Sequence, residues 1–79
     1  MMADLEKMLA DVAKAIVDSP DEVFVIKEED DRSINLSLTV APDDMGMVIG
    51  RHGKIAKAIR AVIKAASAGS GKRVNVEIR

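Results

Sequence analysis

The 79-residue sequence contains no cysteine, tryptophan or tyrosine, and only one phenylalanine, one histidine and two prolines. Without cysteine there is neither a disulfide framework nor a thiolate metal site. A chain this short buries a modest fraction of its surface, so added stability has to come from elsewhere, and oligomerisation is the available source. One histidine, His52, with no cysteine or tyrosine beside it leaves a nucleophile–base pair only an ordinary Ser or Thr, so no catalytic residues are expected. No run approaches the roughly 20 apolar residues that span a bilayer, and the first residues lack the basic-then-apolar pattern of a signal peptide. The expected setting is the reducing cytoplasm, with no membrane contact and no cofactor.

What is present is charge of both signs, unevenly distributed around a net of −1. Residues 1–31 hold ten Asp and Glu against three Lys, a balance of −7, whereas residues 32–79 hold nine Lys and Arg against three acids, a balance of +6. A phosphate backbone meets one face and not the average, so the basic half is where an anionic partner belongs.

Leu5, Leu9, Val12, Ile16 and Val17 recur at helical spacing and predict an amphipathic helix over 3–18, with Asp4 and Glu6 in its first turn and Ser19-Pro20 ending it. Two strands follow. The first, 22–29, carries the run Val23-Phe24-Val25-Ile26, with Phe24 expected in the core. The second, 32–40, alternates Ile34, Leu36, Leu38 and Val40 against Ser33, Asn35, Ser37 and Thr39, which predicts a half-buried strand paired in a hairpin. A short helix is predicted from Pro42 to about Ile49, capped by Asp43 or Asp44, then a second from Lys54 to about Ser67, then a strand over 73–78. The order is α-β-β-α-α-β. A helical crossover permits parallel pairing, so the expected fold is α+β with helices on one face of a three-stranded mixed sheet, a single domain over 1–79.

The informative stretch is Val48-Ile49-Gly50-Arg51-His52-Gly53-Lys54-Ile55. Two glycines three apart allow a very short turn between helices and a close approach of a ligand to the backbone. The following helix offers free N–H groups and its positive dipole end to an anion such as phosphate. Arg51 and Lys54 add charge there. Along that helix Ile55, Ile59, Val62, Ile63 and Ala66 are expected to face the sheet, while Lys57, Arg60 and Lys64 form a basic stripe suited to a nucleic-acid backbone. A bare GxxG is usually a turn or cap and a basic stripe usually a solvated face; their conjunction within this element order is what carries the signal.

The stretch from Val40 to Ala66, with Val48-Ile49-Gly50-Arg51-His52-Gly53 running into Lys54-Ile55-Ala56-Lys57-Ala58-Ile59-Arg60, resembles the core of a KH domain. It is similar to the small stand-alone bacterial KH proteins of the KhpA family, in the type II arrangement, over essentially the whole chain. The resemblance implies a clamp on about four nucleotides of single-stranded RNA. Carried over, Gly50 and Gly53 would allow close approach, Arg51, His52 and Lys54 would meet phosphates, and Ile49 would belong to the apolar floor beneath the bases. It also implies a homodimer or a heterodimer with a larger KH protein of the KhpB or Jag type, in RNA chaperoning or post-transcriptional regulation linked to cell elongation and division.

Other readings fit less well. A P-loop would need glycine where Val48 stands and Ser or Thr where Ile55 stands, and Glu28-Glu29-Asp30-Asp31 lacks the pattern of a calcium loop, so no metal site is expected. RRM and OB-fold surfaces need several aromatics where this chain has Phe24 alone. The competing reading is a KH-like protein-interaction module with little intrinsic RNA affinity.

Overall fold

The computed structural model describes residues 4–79. Its first helix, α1, runs Leu5–Ile16, within the predicted 3–18; Ala3 lies outside the described residues. Asp4 is the N-cap and not a first-turn residue, its carboxylate accepting the Lys7 N–H at 3.0 Å. Pro20–Glu22 then make a 3-10 turn, so strand β1 starts at Phe24 rather than Glu22 and covers Phe24–Glu29.

Strand β2 is Ser33–Thr39. The tight turn before it is built on Asp30, whose Oδ1 accepts the N–H groups of Arg32 and Ser33, each at 2.8 Å. Those two bonds, the Arg32 one foremost, hold the Asp30 carboxyl below the usual carboxylate range. Strand β3, Arg73–Ile78, closes the sheet. The order is β1-β2-β3, with β1 antiparallel and β3 parallel to the central β2. The parallel pairing is reached through two helices, α2 (Met45–Ile49) and α3 (Lys54–Ala66), that lie between β2 and β3 in the chain.

All three helices pack on one face of this mixed sheet. Leu9 and Ala13 of α1, Val48 of α2 and Ile59 and Ile63 of α3 are buried against Ile34, Leu36 and Leu38 of β2 and Val74 and Val76 of β3. Each large apolar side chain removed from water here contributes roughly 1.5–3 kcal/mol. The other face is open, and polar along β2 and β3, where Asn75 donates to Asn35 at 2.9 Å.

Phe24 is the main departure from expectation. It is 61% exposed, and Ile26 is 60% exposed. The register explains this: Phe24 pairs with Thr39 and Ile26 with Ser37, both on the open face, while Val25 opposite Leu38 turns towards the helices. Directly opposed residues of an antiparallel pair share a face, so the phase of β1 is dictated by β2. No helix among the described residues is long and apolar enough to cross a membrane.

Candidate nucleic-acid interface

α2 ends at Gly50, whose N–H donates to the Gly46 carbonyl at 2.9 Å. Arg51–Gly53 form a single 3-10 turn, closed by the Gly53 N–H on the Gly50 carbonyl at 3.1 Å, and α3 begins at Lys54. Three of the four residues of the turn have positive φ: Gly50 at φ 75°, His52 at φ 59° and Gly53 at φ 74°. A β-carbon at Gly50 would run into Ile55, whereas one at Gly53 would meet open space. The missing side chain of Gly50 therefore makes room for the chain's own Ile55, and Gly53 is the glycine that leaves the outer surface of the turn bare. No side chain caps the start of α3, and the N–H of its first residue, Lys54, donates to the Arg51 carbonyl.

α3 buries Ala56, Ile59 and Ile63. Ile55 and Val62, expected on the sheet-facing side, are 39% and 50% exposed. At about 100° per residue they fall on the flank of the buried arc and not at its centre. Lys57, Arg60 and Lys64 occupy the opposite flank, which faces β3: Arg60 Nε donates to the Val76 carbonyl at 3.2 Å.

That carbonyl belongs to an open sheet edge. Arg73 at the start of β3 and Arg79 just beyond its end donate their N–H groups to β2, to the Arg32 and Leu38 carbonyls at 3.0 and 2.8 Å. Main-chain groups alternate sides along a parallel strand, so the intervening Val74, Val76 and Ile78 turn their N–H and C=O outwards. A groove thus runs from the glycine turn between α3 and the unpaired edge of β3. Arg51, His52, Lys54, Lys57 and Arg60 are all exposed around it, and Ile49 and Met47 are each 39% exposed at the end of α2. Among the described residues no ion pair joins Arg51, Lys54, Lys57 or Arg60 to a carboxylate. Their field is left unneutralised.

Two features of the site were not legible beforehand. The β3 edge carries no side-chain signal, since its functional groups are main-chain atoms. Asp44 stands at the N-cap position of α2 without capping it. Its carboxylate, only 2% exposed, accepts the Ser19 N–H at 3.0 Å and ties the α1–β1 connection to the entry of α2.

A helix–glycine turn–helix unit beside a parallel sheet edge, in the order α-β-β-α-α-β, defines a type II KH domain. The family model described as KhpA/KhpB, KH domain, matches residues 6–78, and the chain belongs to that non-catalytic family. It is 55% identical over 74 residues to the RNA-binding protein KhpA of Clostridium acetobutylicum, covering 94% of this chain and 99% of that one. The RNA-binding protein KhpA of Clostridium perfringens is 47% identical over the same shares of the two chains. That of Bacillus subtilis is 45% identical, over 94% of this chain and 91% of its own. No solved structure shows a significant match.

Proposed function

We propose that residues 1–79 form one KH domain that binds single-stranded RNA, non-catalytically, in the groove between the Gly50–Gly53 turn, α3 and the edge of β3. The observation that carries this reading is the cluster of exposed, unpaired cations around a left-handed turn that continues into an uncapped helix start. Arg51, His52, Lys54 and Lys57 take backbone phosphates, and Ile49 lies under the bases. The names of the relatives support RNA as the ligand. The family resemblance extends the role to RNA chaperoning or post-transcriptional regulation in the cytoplasm, linked to cell elongation and division. The test is fluorescence anisotropy of a short labelled single-stranded RNA against the protein and its Arg51→Asp/His52→Asp variant at two salt concentrations. Binding that weakens steeply with salt and is lost in the folded variant is expected. Unchanged affinity in the variant would remove the turn from the site.

The same reading includes self-association or pairing with a larger KH-containing protein. Two exposed apolar patches support it: Phe24 with Ile26 on the edge strand β1, and Ile55 with Val62 on one flank of α3. Phe24→Asp and Val62→Asp, compared by analytical ultracentrifugation, separate the patches, because the one that carries the pairing loses it on gaining a charge. If neither change alters the sedimentation of an associated species, pairing does not use these surfaces. A module that only pairs and has no RNA affinity is distinguished by the absence of any salt-sensitive RNA binding.

A further inference from the structure

We infer that the protein engages a longer strand than a four-nucleotide clamp needs, because Lys64 and Arg73 form a second phosphate anchor at the end of α3 remote from the glycine turn. This rests on the RNA-binding reading and deepens it by naming the length of RNA the surface takes. Lys64, Arg73 and Asn75 line an open depression of about 420 Å³, together with Ser67 and Gly71 of the α3–β3 connection. Lys64 lies ten residues beyond Lys54, about 15 Å along the helix axis. Between the two places the Arg60 Nε–Val76 carbonyl bond, at 3.2 Å, bridges α3 and β3. The depression is therefore separate from the turn, and contacts at the turn do not account for its charge.

Lys64 and Arg73 approach the depression from two sides. Val74 and Val76 are buried towards the helices, so Arg73 alternates to the open face of the sheet, whereas Lys64 projects from α3. Both are exposed, and neither side chain has an ion-pair partner among the described residues. Lys72 also lines the depression, but its Nζ is held 2.6 Å from Glu29. Among the described residues no carboxylate lines the site. Two free cations flanking one strand edge make a seat for an anion, and a strand already held at the turn supplies phosphates at fixed repeats. Such a second contact is intramolecular, so a weak one still adds to affinity once the strand is long enough to reach it.

The test measures anisotropy with a labelled uridine tetramer and a labelled uridine octamer at one low salt concentration, against the wild type and the Lys64→Ala/Arg73→Ala variant. The wild type is expected to bind the octamer more tightly than the tetramer. In the variant the ratio of octamer to tetramer affinity is expected to fall about 2- to 30-fold, as two exposed ion pairs are lost, with tetramer affinity unchanged. Lys14→Ala removes an exposed cation from α1 instead, and is expected to leave the ratio as it is. Thermal melts confirm that these surface variants stay folded. A ratio that the double variant leaves intact overturns the inference, since the octamer's advantage is then only its greater number of registers. Equal weakening of both lengths, or the same fall in Lys14→Ala, also overturns it, because the cations then act through net charge and not as an anchor. Each of those results leaves RNA binding standing. A wild type that binds neither oligomer overturns the RNA reading together with the inference.

Discussion

Ile55 fills the space where a β-carbon of Gly50 would lie: a Cβ built there overlaps Ile55 Cγ1 and comes within 2.9 Å of Ile55 Cβ. Gly50 also sits at φ 75° and ψ 172°, a region open essentially to glycine alone. Gly53, at φ 74° and ψ 15°, has the left-handed conformation but nothing within 4 Å of its missing Cβ. The two glycines of the turn therefore do different work, one for internal packing and one for the outer surface.

Gly50→Ala is expected to cost more stability than Gly53→Ala. The first adds overlap with Ile55 to backbone strain of about 1–3 kcal/mol. The second incurs only the left-handed penalty of about 1–2 kcal/mol. Urea denaturation of the two variants measures this directly, and equal losses would contradict the packing role given to Ile55.

Lys57→Ala removes a free cation from the α3 flank and touches no buried group. RNA affinity should fall about equally for every sequence, and the slope of log affinity against log salt should shrink by about 1. A loss confined to some sequences would mean that Lys57 meets a base.

Asp44→Ala leaves the Ser19 N–H without its acceptor in a part-buried position, at an expected cost of about 1–3 kcal/mol. Asp44→Asn retains an oxygen acceptor and should cost less. Chemical denaturation tests the order, and an Ala variant as stable as the Asn variant would show that the bond contributes nothing measurable.

Asp30 makes the hairpin turn pH-sensitive. Its folded-state carboxyl lies below the ordinary 3.8 because the N–H groups of Arg32 and Ser33 bond the charged form. A depressed folded value means stability that is fully present above the unfolded-state value and is lost as pH falls through the folded one. Relative to Asp30→Asn, the wild type should therefore lose melting temperature on acidification from pH 5 to below its folded-state value. A constant difference between the two proteins across that range would sink the assignment.

Much of the scaffold was legible because it rests on local rules. Alternation in Ile34-Asn35-Leu36-Ser37-Leu38 states both that the segment is a strand and which side is buried, and β2 follows it. Helical spacing located α1 to within two residues at each end that is described, but the helix stops at Ile16, before Ser19-Pro20, and Pro20 opens a 3-10 turn instead. The run Val23-Phe24-Val25-Ile26 states a strand but not its phase, since all four side chains are apolar, and the expectation for Phe24 failed there. Ile55 and Val62 failed for the same reason on α3, where a helix with more apolar positions than its buried arc can hold leaves the choice to packing.

By itself, the sequence determined the element order, the position of the turn between two helices, and the concentration of cations around it, because periodicity, proline and glycine act through neighbouring residues. Only the tertiary structure decided that Ile55 claims the space at Gly50, that Asp44 bonds Ser19 and not its own helix, and that Arg60 reaches Val76. The last two link residues 25 and 16 positions apart, through a main-chain N–H and a main-chain carbonyl. Main-chain groups are the same at every residue, so no pattern of side chains marks which of them will be left facing a groove; that depends on which edge of β3 the sheet leaves unpaired.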